Sequence, residues 1–443
     1  MTGVCGVSLF YFILRMLQEK YSQKKQNMYH VFVDLEKAFD RVPRKVIEWA
    51  LRKKGIPERM VEAVMALYVE SRTRVKTMAG KSEEFDILVG VHQGSVLSPL
   101  LFIIVMDELS KDIRKGVPWE LMFADDLALT EESELEVMRA FEKWRAAMES
   151  KGLKVNMEKT KLMVTGKRSH DRVLAGRWPC GCCGKGVGVN SILCIVCNKW
   201  CHQRCSGLKK VRGVKDFQCP SCRNGNREVG VGGLITTGGR IEEVDEFCYL
   251  GNVLDCEAGV ERAVRKRVSA AWNKWREMAS LIKNKSIPLM IRGSVYESCV
   301  RSVMLYGAET WALTRKLEDI LKSCDRRMLR YMAGVRWQDR ISSEEVAKRC
   351  GLKEIQEKIR QRRLQWYGHV RREEEGGVLR LVEEMEVPGQ RKVGRPKKTW
   401  KEAVQQNLKV LGVDEKIALD RRSWRKITAS PTPNMENVDY KRK

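Results

Sequence analysis

The chain has 443 residues, 43% of them hydrophobic, an ordinary share for a soluble protein and length enough for roughly two to four domains. Its charge is less ordinary: 83 Lys and Arg against 57 Asp and Glu give +26, which calls for a polyanionic partner, most often nucleic acid, and sets aside a merely soluble basic protein. Nine of the 15 cysteines crowd between Cys180 and Cys222 around a single histidine, which argues against a disulfide framework and for metal ligation in a reducing compartment.

The apolar opening from Val4 to Leu14 has signal-peptide length, but no basic residue precedes it and it runs into the charged LRMLQEKYSQKK. A helix over residues 8–26 is therefore expected, not a secretory leader, and nothing later approaches a membrane span. YHVFVDL (29–35) alternates as a strand, with Val31 and Val33 on one face and His30, Phe32 and Asp34 on the other. Pro43 opens a helix to about Lys54, stopped by Gly55 and Pro57, and a second helix covers 58–70. Runs 72–79 and 83–91 flank Gly80-Lys81-Ser82 as a hairpin. After a break at Gln93-Gly94, Ser98 caps and Pro99 opens an almost wholly apolar helix to about Ile113, which belongs in a core. LMFADDLALT (121–130) sets Asp125 and Asp126 between two apolar runs, the pattern of a buried hairpin with acids at its tip. A helix with Val137, Phe141, Trp144 and Met148 on one stripe ends at Gly152, and GLKVNMEKTKLMVTG follows as a loop leading into a strand.

Bare carboxylates in an apolar setting call for a cationic partner, most simply a metal. Asp34 at one strand end and the Asp125-Asp126 pair on a neighbouring hairpin can bind two divalent cations, the arrangement that serves in-line phosphoryl transfer. VFVDLEKAFDRV, GVHQGSVLSPLLF, FADD and GLKVNMEKTK, in this order and spacing, resemble the successive palm motifs of reverse transcriptases of non-LTR (LINE-type) retrotransposons. The resemblance implies an α+β palm with partial fingers over 1–170, an antiparallel sheet with packed helices. It implies Asp34 and Asp125 as ligands of two magnesium ions with Asp126 beside them, and Phe39 as the ring that rejects a ribose 2′-hydroxyl. Gln93 and Gly94 then line the nucleotide and template pocket, and Lys159 offsets charge on the departing pyrophosphate. Local readings compete: Asp40 as a helix cap, His92 as a packing or turn residue, Lys159 as plain solvated charge. About thirty residues precede Asp34, where the family has a fingers region and often an upstream endonuclease, so an N-terminally truncated polymerase is expected.

From Cys180 the pairs Cys180/Cys183, Cys194/Cys197, His202/Cys205 and Cys219/Cys222 supply eight ligands, enough for two closed tetrahedral zinc sites. Four cysteines, one histidine and three cysteines, with Phe217 two residues before the last pair, resemble a PHD finger, expected over 177–225. That resemblance implies interleaved sites: Cys180, Cys183, His202 and Cys205 on one zinc, Cys194, Cys197, Cys219 and Cys222 on the other. Cys182 and Cys201 are spare, and Cys182 could replace Cys183 at a less fitting spacing. Zinc is expected to be needed for this segment to fold. PHD fingers commonly read histone tails, but GKGVGVNSIL offers no second aromatic to form a cage with Trp200, so a structural or nucleic-acid-binding knob is favoured over a histone-tail partner.

A glycine-rich linker is expected over 226–240. FCYLGNVLD (247–255) resembles the primer grip of the same family, with Tyr249, Leu250 and Gly251 matching, so the zinc module reads as an insertion between two pieces of one polymerase. A primer grip and helical thumb are expected over 241–385, with helices near 260–283, 288–313, 316–332, 343–349 and 353–372, and Trp272 and Trp275 more readily core than base-stacking. Residues 386–443 form a basic extension in which Gly394-Arg395-Pro396 resembles an AT-hook, though a solvated basic loop fits as well; SPTPNMENVDYKRK is expected to be disordered. The expected activity is RNA-directed DNA synthesis, adding dNTPs to a DNA primer on an RNA template, in the nucleus or cytoplasm and without a membrane partner. The alternative is an inactive remnant that binds nucleic acid or chromatin through its zinc finger and basic helices.

Overall fold

The computed structural model describes residues 3–78, 80–166, 180, 182–183, 187, 190–194, 200–208, 214, 217–223, 233–236, 239–391, 394 and 396–429. Two compact units emerge: Gln26–Asp245, and Met1–Lys25 together with Glu246–Lys443.

The chain begins with α1 (Gly3–Gln23) and then enters the first-mentioned unit through β1 (Met28–Val33). There follow α2 (Arg44–Lys53), α3 (Glu58–Ala66), α4 (Leu97–Ser110), β2 (Glu120–Phe123), β3 (Asp126–Glu131), α5 (Glu134–Glu149) and β4 (Lys161–Thr165). Short strands β5 (Ser191–Leu193) and β6 (Trp200–His202) pair with each other in the cysteine-rich segment, and β7 (Gly233–Thr236) and β8 (Gly239–Glu243) complete a six-stranded sheet. Its order is β7-β8-β4-β1-β3-β2, antiparallel except for the β8/β4 pair. Every residue of β1 is buried, as a strand at the centre of a sheet requires. Tyr29, Val31 and Val33 join Ile47, Leu51, Phe102, Val105, Phe141 and Trp144 in one core, the face that the alternation marks. Ser133 caps α5 by accepting from the Glu136 N–H at 3.2 Å.

The sequence overstates the burial of α4. Leu101, Phe102, Val105 and Met106 face the core, but Leu100 and Ile103 on the opposite side are about half exposed, at 52% and 49%. A helix lying on one face of a sheet covers only one of its own stripes, whatever its composition. The hairpin read over 72–91 survives as two fragments, Arg72–Thr73 with Phe85–Asp86 and Lys76–Thr77 with Gly80–Lys81.

The second unit contains β9 (Glu246–Tyr249) and β10 (Asn252–Asp255), then α6 (Glu261–Glu277), α7 (Leu289–Val295), α8 (Arg315–Ala333), α9 (Ser343–Arg349), α10 (Ile355–Arg371), α11 (Val378–Glu384), α12 (Trp400–Leu411) and α13 (Arg421–Ala429). It also claims α1, which the sequence reading grouped with the sheet. Tyr11 donates to the Val253 carbonyl at 3.0 Å and Arg15 Nη1 to the Gly259 carbonyl at 2.9 Å. The Phe12 ring meets Trp400 and Trp366 edge-on at 4.8 and 5.6 Å. Hydrophobic periodicity fixes which face of a helix is buried but not against what, so this partner was not legible.

A continuous helix over 288–313 is also corrected. After α7 the backbone widens into a π-helical segment, Tyr296–Arg301, and beyond Met304 it turns at Gly307 (φ +81°). The widened turn carries Tyr296 and Arg301 into the interior, where the Tyr296 hydroxyl donates to Asp325 Oδ1 at 2.7 Å and Arg301 clasps the same carboxylate at 3.0 and 2.8 Å. At Gly307 a Cβ would stand 2.7 Å from the Asn252 side chain, so only glycine fits. Trp275 is core and Trp272 half-buried. Part of the basic extension folds: Trp400 and Trp424 of α12 and α13 are almost wholly buried, at 1% and 2% exposed. The Thr399/Glu402 capping box at the start of α12 is a sequence signal for this that composition masks. The linker expected over 226–240 is corrected where it is described, since 233–236 and 239–240 belong to β7 and β8, whose backbone groups pair across the sheet; Arg395, residues 226–232 and 237–238, and the closing 430–443 lie outside the described residues. None of the described helices is long and apolar enough to cross a membrane.

Candidate active site and metal centres

The β2/β3 hairpin positions the paired acids. Phe123 opposes Asp126 in the ladder, leaving Ala124 and Asp125 as the two-residue turn. Ala124 takes φ +55°, a conformation that L-residues rarely adopt and that recurs at functional turns. On the other side of β3 the last pair with β1 is Val33 and Leu127, so Asp34 leaves its strand next to Asp126. Sequence-distant acids thus meet at the ends of two neighbouring strands inside the sheet.

Asp34 is fixed from below by the turn before β4. The Asn156 N–H donates to the Asp34 carbonyl at 2.8 Å, the Asp34 N–H donates to Thr160 Oγ1 at 3.3 Å, and the Thr160 hydroxyl donates to the Asn156 carbonyl at 2.8 Å. Asn156 and Thr160 both lie within GLKVNMEKTK, and no local pattern there says that Thr160 will hold Asp34, which belongs to the first of the four motifs. Lys159 sits on the same turn, its side chain well exposed, with Nζ 4.0 Å from Asp34 Oδ2.

The carboxylates are more open than a buried hairpin implies: Leu121 and Leu127 are buried, while Asp34 and Asp125 are half-buried and Asp126 faces solvent. Apolar flanks bury the strands behind a turn without burying its tip. Nonetheless the protein behind Asp126, then the charges of Asp125 and Asp34, push its carboxyl up to about 6. The Asp34 carboxyl is raised by desolvation and by Asp125, against the pull of Lys159. Asp34, Asp125 and Asp126 bring only carboxylate oxygens to this turn, the donor type that hard divalent cations take.

Beside the acids, a short helical turn, Ala38–Arg41, carries Phe39, whose ring stacks on Phe102 of α4 at 4.6 Å. Gln93 Nε2 donates to Asp40 Oδ1 at 2.7 Å, and Gly94 follows in a left-handed turn at φ +87°. Phe39, Gln93 and Gly94 are therefore on adjoining segments. His92 packs on the Tyr68 ring at 4.7 Å with Nε2 3.3 Å from Ser71 Oγ.

In the other unit, Tyr249 ends β9 and Leu250 and Gly251 form the β9/β10 turn, at φ +47° and +77°. Tyr306 donates to the Leu250 carbonyl at 3.0 Å, and Arg267, stacked 4.3 Å over the Tyr306 ring, donates to the Gly251 carbonyl. Neither Arg267 nor Tyr306 carried a sequence signal.

In the cysteine-rich segment, Cys180, Cys183, His202 and Cys205 bring four ligand atoms within 4.8 Å of one another. His202 Nδ1 lies 3.5 Å from Cys183 Sγ and 3.8 Å from Cys205 Sγ. Cys182 turns to Cys201, sulfur to sulfur 3.6 Å, and these two with Cys180 make a second close group. Of the other expected set, Cys194 and Cys219 are buried and the Cys219 N–H points at Cys194 Sγ at 3.3 Å. Cys197 and the Cys222 side chain lie outside the described residues.

The family described as reverse transcriptase (RNA-dependent DNA polymerase) matches residues 6–252, more than half of the chain. The chain belongs to the reverse transcriptase family. Among similar proteins, a Pol polyprotein of a type-1 R2 retrotransposable element from Nasonia vitripennis is 30% identical over 172 residues, 36% of this chain and 17% of that protein. An R2DM polyprotein from Drosophila melanogaster is 32% identical over 142 residues, 30% of this chain and 13% of that protein. The reverse transcriptase thus spans under a quarter of these relatives' length, and its kinship accords with the non-LTR motifs. The PHD finger protein ALFIN-LIKE 9 of Oryza sativa subsp. indica is 38% identical over 55 residues, 12% of this chain and 20% of that protein. A telomerase of Candida Tropicalis solved with telomeric RNA aligns at TM-score 0.32 and 12% identity, over 87% of this chain and 53% of that one, a likeness too slight to carry weight.

Proposed function

We propose that this reverse transcriptase copies RNA into DNA, joining a primer 3′-hydroxyl to the α-phosphate of a dNTP. The observation that carries the reading is the convergence of Asp34, Asp125 and Asp126 at the ends of neighbouring strands, with Phe39, Gln93 and Gly94 on adjoining segments. The mutual repulsion of the three acids fits two magnesium ions, held by Asp34 and Asp125 with Asp126 beside them. When bound, such ions supply charge stabilisation to the attacking and leaving oxygens. The chain's own groups do the rest. The Phe39 ring closes the space a 2′-hydroxyl would need, Gln93 and Gly94 line the nucleotide and template, and Lys159 offers a positive charge to the departing pyrophosphate. The Tyr249–Gly251 turn would hold the primer.

The cysteine-rich segment is read as a PHD-like module with two structural zinc ions. Cys180, Cys183, His202 and Cys205 would hold one of them, and this grouping favours Cys183 over Cys182.

Magnesium-dependent primer extension on an RNA template by the full chain is the test. Wild type incorporates dNTPs, and Asp125→Ala abolishes incorporation while leaving zinc content unchanged. Equal extension by the variant removes the catalytic assignment. Salt-sensitive nucleic-acid binding without incorporation by the wild type favours a binding remnant instead.

A further inference from the structure

Residues 39–43 and 89–93 run side by side outside the main sheet. Pro43 and Val89 form an antiparallel bridge, the Gly90 N–H donates to the Val42 carbonyl at 2.8 Å, and the Val91 N–H donates to the Phe39 carbonyl at 2.9 Å. One side-chain bond closes the row, from Gln93 Nε2 to Asp40 Oδ1 at 2.7 Å. Gly90 lies so close that a Cβ there would stand 2.6 Å from the Asp40 carbonyl oxygen, and its φ of +85° is itself glycine territory. On the far side the Phe39 ring leans on Phe102. The ring therefore has a side chain against its face and a hydrogen-bonded backbone behind it.

We propose that Asp40 and Gly90 are positioning residues for sugar discrimination, locking the Gln93-Gly94 turn to the segment that carries Phe39 so that ring and turn act as one wall. The proposal rests on the polymerase reading above and adds to it what makes the wall rigid. Rejecting one extra hydroxyl by shape is a weak filter, about 100-fold in a well-fitted pocket, so it depends on the wall not yielding by a few tenths of an ångström. Asp40 and Gln93 are both exposed, so their bond contributes little to overall stability. Its consequence is local: it fixes where the turn stands relative to the ring.

The full chain is assayed on an RNA template with dNTPs and NTPs in parallel, and the ratio of kcat/KM values is the readout. Asp40→Ala lowers the preference for dNTPs roughly 10-fold, with KM for dNTP rising more than kcat falls. Asp40→Asn, whose Oδ1 still accepts from Gln93, keeps the preference. Gly90→Ala lowers it further and speeds amide exchange at Val91; should that variant fold poorly, the Asp40 pair alone decides. An unchanged ratio in Asp40→Ala, or an equal loss in Asp40→Asn, overturns this inference and leaves the polymerase reading standing. A wild-type chain that incorporates neither nucleotide overturns the polymerase reading and this inference with it.

Discussion

His30 lies in the middle of β1, fully buried, with Nδ1 3.1 Å from Thr130 Oγ1. Burial holds its imidazole down at about 3, well below the usual histidine range. A base whose folded-state pKa is depressed contributes stability that is present above the unfolded pKa and lost as pH falls. Between pH ~6.5 and ~3 the sheet unit should lose up to about 1.4 kcal/mol per pH unit from this group, and His30→Gln should flatten that part of a denaturant-midpoint profile. Asp126 has the opposite sense. Its carboxyl, raised to about 6, is protonated at pH 5 and ionised at pH 8, so magnesium should raise the melting temperature more at pH 8. Asp126→Asn should remove most of that difference; an equal magnesium effect at both pH values would detach Asp126 from the metal.

Among elements, the β2/β3 hairpin was the most legible, because apolar runs around a two-acid turn have few other folds. Glu120, at its outer end, was not legible. It is buried and accepts from Trp144 Nε1 at 3.0 Å and from the Lys115 N–H at 2.7 Å, contacts that join strand, loop and α5. The π-helical segment after α7 was equally hidden, since the group its side chains bond to lies on another helix. Asp325 on α8 satisfies Arg301, itself 1% exposed, and the Tyr296 hydroxyl. Asp325→Leu leaves a buried guanidinium with its main partner gone and should cost about 3–5 kcal/mol. Urea unfolding of the full chain checks this, and a cost under about 1 kcal/mol would mean that water or Glu297 takes over the charge.

For the whole molecule, the family was readable from four motifs in order, and the meeting of Asp34 with Asp125 and Asp126 from the strand and hairpin patterns around them. Which segments share a core was less readable, because nothing local in α1 says that Val253, Trp366 and Trp400 are its partners. Removal of residues 1–25 should therefore speed amide exchange in α10 and α12 while leaving β1 and β3 protected. The reverse pattern would return α1 to the sheet. The placement of α1 also has a temporal side. The unit that contains it resumes only at Glu246, after the whole of Gln26–Asp245 has been made. At about 5–20 residues per second on a ribosome, the helix waits on the order of 10–45 s for its partners. Throughout that interval Tyr11, Phe12, Ile13, Leu14 and Leu17, all buried in the finished fold, have no core of their own to enter. Successful synthesis then depends on keeping this apolar face out of the wrong company until the stretch from Glu246 onward has begun to emerge.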